Sequence, residues 1–265
     1  MITDEVWKLP AIVYRFLSYR AAIPLAQEQI GVMMSILKSR AQPVERFMDL
    51  GCGDGILGAA ILGEYPSSRG VLVDFSEPML EQAREQLKEY ASQLVFKNLD
   101  YGDSAWVNSV QAQGPFDAIV SGYSIHHQPD PRKRQIYEEI FSLLKLGGWF
   151  INIEHVSSEA QLNLDLFEHH YVSERFAMEQ REGGTRTFEQ LAEEYKNRPD
   201  KAANILAPTE LQCAWLREIG YEEVDCYFRI YELAVFGGRK SSKHVHKWTG
   251  THAHMFTCIP VYLST

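Results

Sequence analysis

The chain has little cysteine. Four residues in 265 (Cys52, Cys213, Cys226 and Cys258) form no CxxC pair and no framework spacing, which excludes a disulfide-stapled scaffold and fits a reduced cytosolic protein. No apolar run reaches the length of a membrane span, so none is expected. The opening residues Met1-Ile2-Thr3-Asp4-Glu5 lack a basic segment ahead of an apolar core, so no signal peptide is expected and a cytoplasmic location is. There is no internal repeat and no low-complexity stretch. Positive charge is short as well: 26 Lys and Arg against 35 Asp and Glu give a net charge of −9. The acidic excess lies in the middle of the chain, because residues 239–265 hold four Lys or Arg and no acid. Such a surface repels a phosphate backbone, so nucleic acid is not the expected substrate. What the chain does have is apolar material, 45% of its residues, enough for one large domain with a substantial core.

Short apolar runs bounded by Gly, Asp or Pro alternate with amphipathic stretches. Residues 46–50, 70–74, 94–96, 116–121 and 149–153 read as strands, and 56–62 and 77–90 as helices. Residues 223–227 and 231–236 lie close together with no helix between them and read as an antiparallel pair. This order predicts an α/β protein with a doubly wound, mostly parallel Rossmann-like sheet, closed by a C-terminal antiparallel hairpin. Residues 156–208 interrupt the alternation with charged helical stretches near 158–181 and 185–197, a cap inserted after the fifth strand. The expected organisation is a helical lead-in or lid over 1–46, the main domain over 47–239 with its cap at 156–208, and an extension over 240–265.

Asp49-Leu50-Gly51-Cys52-Gly53-Asp54-Gly55 joins the first strand to the first helix. Glycines there permit positive φ and close backbone approach to a ligand, and in a doubly wound sheet the ligand crevice opens outside the strand C-termini. Asp74 closes the second strand, where a carboxylate can accept both ribose hydroxyls of a nucleoside. Asp100, with Tyr101, follows the third. The competing dinucleotide fingerprint, G-x-G-x-x-G, requires a third glycine where Ile56 stands. An additional acid beside a pyrophosphate would also be unfavourable, whereas a cofactor carrying a sulfonium and an ammonium suits it.

In Asp49–Gly55, Val71–Asp74 with the following Phe75-Ser76-Glu77-Pro78-Met79-Leu80, Asn98–Asp103, Phe116–His127 and Leu144–Ile153, the sequence resembles the class I S-adenosylmethionine-dependent methyltransferases. The resemblance implies S-adenosyl-L-methionine as cofactor. It puts Asp49, Gly51 and Gly53 against the methionine part, Asp74 on the ribose, Phe75 on the adenine and Asp100 with Tyr101 at its edge, with Cys52 and Met79 also expected at the cofactor. Ser121, Gly122 and Tyr123 would line the floor. A narrower resemblance, carried by Pro10–Arg15 with Tyr19 and by Arg198 followed by Asn204, is to the carboxy-S-adenosylmethionine synthases of tRNA wobble-uridine modification.

Methyl transfer requires alignment, plus a base if the acceptor must first lose a proton. His126, Glu154 and His155, after the fourth and fifth strands, are the candidates for that chemistry; His127, next to His126, reads more readily as packing or capping. Arg15 and Arg20 are candidates for the cofactor carboxylate by bidentate pairing, and Tyr19, Tyr171 and Arg198 for the substrate. Gly183-Gly184-Thr185-Arg186-Thr187 reads as the turn between cap helices. The paired histidines of His244–His246 and His252–His254 give no complete ligand shell, so no metal is expected. The expected activity is methyl transfer to a small-molecule acceptor. The alternatives are a cofactor-modifying synthase and a non-catalytic cofactor-binding module. A homodimer is left open.

Overall fold

The computed structural model describes residues 4–241. The paired histidines of the tail lie outside the described residues. Seven strands form one sheet: β1 (Arg46–Leu50), β2 (Arg69–Asp74), β3 (Leu94–Asn98), β4 (Phe116–Gly122), β5 (Leu144–His155), β6 (Tyr221–Ile230) and β7 (Leu233–Lys240), in the spatial order β3-β2-β1-β4-β5-β7-β6. The first five are parallel, and β7 runs antiparallel to both β5 and β6. The doubly wound sheet and its closing hairpin are those expected from the sequence. The strand order reverses between β1 and β4, and a ligand crevice belongs at that switch point.

Strands β1, β2, β4 and β5 are buried almost throughout, because helices cover both faces of the sheet. One apolar layer gathers Met48, Leu50, Val73, Ile119, Tyr137 and Phe150. The other gathers Phe47, Leu57, Leu72, Val120, Ile151 and Val235. Successive strand residues thus alternate between layers, as the pleat demands. Strand β5 begins at Leu144, earlier than the apolar run alone suggests. Lys145-Leu146-Gly147-Gly148 continues it through an irregularity of pairing between Phe116 and Ala118, with Gly147 at φ 77°. Bulges of this kind leave no hydrophobic signal in the sequence.

Before the sheet come a short 3-10 turn at Asp4–Lys8, helix α1 (Pro10–Tyr19) and helix α2 (Ala26–Lys38). The lead-in is fastened to the domain where Ser76 Oγ donates to the Trp7 carbonyl at 2.6 Å. Helices α3 (Ile56–Glu64), α4 (Glu77–Gln86), α5 (Trp106–Val110) and α6 (Asp130–Leu143) connect the parallel strands. After β5 the chain leaves the sheet for two cap helices, α7 (Gln161–Arg181) and α8 (Phe188–Lys196), and returns through α9 (Thr209–Ile219). Thr187 starts α8 with a capping box: its hydroxyl accepts the Gln190 N–H while the Gln190 side chain accepts the Thr187 N–H. The cap has a small apolar core of its own, centred on Phe167, Val172, Leu191 and Tyr195. Among the described residues no helix is long and apolar enough to cross a membrane.

Candidate active site

The β1–α3 turn is built from backbone that only glycine accepts without strain. Gly51, Gly53 and Gly55 have φ of 68°, 53° and 84°. A Cβ on Gly51 would fall on the Ser124 hydroxyl, and one on Gly55 would press into Leu87 and Leu72. The turn therefore lies flush against neighbouring loops and leaves its outer side to a cavity of about 530 Å³. Gly51, Gly53, Asp74, Phe75, Met79, Gly122 and Tyr123 line one part of it, and the lead-in and cap enclose the rest.

Negative charge concentrates around this turn. Asp74 is 7% exposed; its carboxylate accepts the N–H groups of Gly53 at 2.9 Å and Ser76 at 2.8 Å, and burial raises its pKa to about 6. Asp49 is fully buried. One of its oxygens accepts the Gly58 N–H at 3.0 Å, and the other has no partner. Burial is the main reason its pKa rises to about 7. Asp49 and Cys52 border a smaller cavity of about 70 Å³ that adjoins the large one at Gly51, Gly53 and Tyr123. Arg20 also borders it, paired with Asp54. Unpaired buried carboxyls cost stability when ionised, so this pocket is suited to a cation.

Asp49 makes this testable. Its folded pKa lies above the ordinary value of about 3.9, so the native state holds the extra proton between about pH 4 and pH 7, and its contribution to stability falls as pH rises through that window. Asp49→Asn carries no such charge. The melting midpoint of ligand-free Asp49→Asn relative to that of the parent protein is expected to move in the variant's favour from about pH 5 to about pH 8. A pH-independent difference in scanning calorimetry would contradict the placement.

Several residues expected at the cofactor lie off the wall of the large cavity. Ser121 is buried between strands, its hydroxyl donating to the Leu50 carbonyl at 2.7 Å. Asp100 is exposed and accepts the Gly102 N–H at 2.7 Å. Tyr101 is buried, its hydroxyl 2.5 Å from Ser124 Oγ, so it braces the loop that faces Gly51.

The histidines form a compact group. His126 Nδ1 lies 2.5 Å from Glu154 Oε1, and the rings of His126 and His127 are 4.0 Å apart. Glu154 also accepts the N–H groups of His126 (3.1 Å) and His155 (2.9 Å) and the Asn152 amide (3.3 Å). It is 1% exposed and sits behind His126, which itself lines the cavity. Glu154 therefore meets the imidazole and not the cavity itself. Burial raises the Glu154 carboxyl to about 7 and holds the His126 imidazole below its ordinary value. Burial also lowers His127 to about 3. His155 lines the cavity with its Nε2 3.3 Å from Glu232.

The chain leaving the cap is tied to this group. The Ile205 N–H donates to the His126 carbonyl at 2.9 Å, His127 Nδ1 donates to the Ala203 carbonyl at 3.2 Å, and the buried Lys133 ammonium donates to the Ile205 carbonyl. The Asn204 side chain hydrogen-bonds the His126 ring. Tyr19, Tyr171 and Arg198 all reach the cavity, together with Arg15. Trp7, Phe16, Arg175 and Tyr195 also line it and were not singled out by sequence. Phe16, Arg175 and Tyr195 stand on helices whose pattern is the same whether the inward face meets a core or a ligand, and Trp7 lies in the short 3-10 turn before them.

The sheet order, the glycine turn at the switch point and the acid closing β2 define a class I S-adenosylmethionine-dependent methyltransferase fold. Residues 47–148 match the methyltransferase domain family. Over 218 residues it is 21% identical to the carboxy-S-adenosyl-L-methionine synthase of Nautilia profundicola, covering 81% of this chain and 86% of that one. It is 34% identical over 108 residues to the demethylmenaquinone methyltransferase of Lactococcus lactis, of whose length it spans 40%, as the match does of this chain. An O-methyltransferase family protein from Burkholderia thailandensis shares the fold, with a TM-score of 0.59 at 16% identity over 84% of this chain and 58% of that one.

Proposed function

We propose that the protein is an S-adenosyl-L-methionine-dependent methyltransferase acting on a small molecule that loses a proton as it is methylated. The observation that carries this reading is a single cavity bordered by both the glycine turn with Asp74 and the His126 imidazole. The residues present fit the cofactor: the unpartnered Asp49 oxygen is a buried acceptor in want of a donor such as an ammonium, and Asp74 has lone pairs left for ribose hydroxyls. Phe75 and Met79 offer apolar surface for a purine. When bound, S-adenosylmethionine supplies an electrophilic methyl group on a positively charged sulfur.

The chain's own residues do the remainder. The lead-in and cap exclude water and hold the acceptor in line, an alignment that can contribute about 7–11 kcal/mol. With Glu154 ionised and accepting from Nδ1, His126 takes the acceptor's proton on its other ring nitrogen, where the acceptor takes the place of the Asn204 side chain, and the carboxylate stabilises the imidazolium that forms. Bound S-adenosylmethionine would supply the methyl group to the acceptor atom that His126 deprotonates, with the electron pair of the broken bond left on sulfur. Incubation with isotope-labelled S-adenosylmethionine and a metabolite extract tests this: label is expected in a small organic product, and no turnover to adenosylhomocysteine would refute catalysis.

A second reading follows from the Nautilia relative, whose similarity extends over 86% of its length. A protein of that kind would modify the cofactor itself. Mass spectrometry of the ligand that co-purifies separates the two, since a carboxylated cofactor would favour the synthase.

A further inference from the structure

Where α1 and the cap meet, the cavity wall holds three guanidinium groups, Arg15, Arg175 and Arg198, against two carboxylates, Glu194 and Asp200. Asp200 is shared between Arg15 at 2.6 Å and Arg198 at 3.3 Å. Glu194 is shared between Arg175 at 3.2 Å and Arg186 at 3.0 Å, and its side chain is 46% exposed. Arg175 is the least satisfied of the three. Only 6% of it is exposed, its one ion pair is longer than the roughly 2.7–2.9 Å of a good charge-assisted bond, and its Nε has no acceptor. A buried cation with an unused donor costs free energy unless a ligand completes it.

The surroundings of that cation are flat and aromatic. The Arg175 guanidinium lies 3.9 Å from the Tyr19 ring centroid, Arg198 lies 3.9 Å from that of Tyr195, and the Tyr171 and Tyr195 rings are 4.7 Å apart. Excess positive charge in a forked, planar form, framed by ring faces, is complementary to a ring bearing a carboxylate. The methionine carboxylate of a cofactor has a different cation within reach, because Arg20, itself paired with Asp54, stands beside the glycine turn in the adjoining cavity.

We propose that the acceptor is a small ring-bearing carboxylic acid whose carboxylate is held by Arg175, with Arg15 and Arg198 completing the anion site. This rests on the cofactor reading above. The test uses the full chain saturated with adenosylhomocysteine and titrated with benzoate, 4-hydroxybenzoate and cinnamate, each compared with its primary amide by thermal shift and calorimetry. The acids are expected to bind and the amides not. Arg175→Gln is expected to lose at least about tenfold in acid affinity with adenosylhomocysteine affinity unchanged, and Arg175→Lys to regain only part, because an ammonium lacks the fork. Equal binding of acids and amides, or no binding of any acid, overturns the proposal. A loss of adenosylhomocysteine affinity in Arg175→Gln overturns it too, since the anion would then be the cofactor's own. If the parent protein fails to bind adenosylhomocysteine, the cofactor reading itself fails and the proposal falls with it.

Discussion

Replacing His126 with alanine is expected to lower turnover by about 10²–10⁴-fold, the usual contribution of a positioned general base, with adenosylhomocysteine affinity within about twofold of the parent. The imidazole borders the cavity and is backed by a carboxylate that does not itself line it, so its removal is expected to affect the proton transfer and not the glycine turn. The pH profile gives an independent reading. Base function requires Glu154 ionised, and burial puts its pKa at about 7, so kcat is expected to rise with pH through about 7 and then level off. Glu154→Gln should lower kcat and abolish that inflection. Equal losses in affinity and turnover for His126→Ala, or an inflection that survives Glu154→Gln, would make the pair structural.

The second large effect belongs to Asp74. Its carboxylate already orders Gly53 and Ser76, and a nucleoside sugar would draw on the same charge. Asp74→Ala is expected to weaken adenosylhomocysteine binding by about 1–3 kcal/mol, as loss of a charged hydrogen-bond partner does. In the parent protein the group titrates at about 6. Affinity should therefore hold above that pH and decline as pH falls through it, because protonation removes the acceptor charge. Asp74→Asn should be weak at both ends. Calorimetry across this range decides the matter, and a flat profile in the parent would remove Asp74 from the site.

The fold was legible because its signals are local. Each parallel strand announces itself as a short apolar run ending in Gly or an acid, and Asp74 stands where such a run stops. The site was legible only in part. Gly51, Gly53, Asp74 and Phe75 follow from the strand–turn pattern, and they line the cavity. Arg175, Tyr195 and Trp7 do not follow, since a charged or aromatic side chain on a cap helix or in the lead-in looks the same in sequence whether it faces solvent, core or ligand. Glu154 reads in sequence as one more acid beside a histidine; only the β4–β5 pairing, which sets Gly122 opposite Ile153, reveals that it stands behind His126. Tyr101 and Ser121 occupy loop and strand ends that a ligand could reach, yet their hydroxyls are used internally, on Ser124 and on the Leu50 carbonyl.

The central claim is that the crevice over the first glycine turn accepts an adenosine bearing a sulfur-linked amino acid. Isothermal titration of the full chain with adenosylhomocysteine, run beside NAD under the same conditions, tests it most directly. One molecule of adenosylhomocysteine bound per chain and no heat from NAD is the predicted result. Saturable binding of NAD with none of adenosylhomocysteine would contradict it.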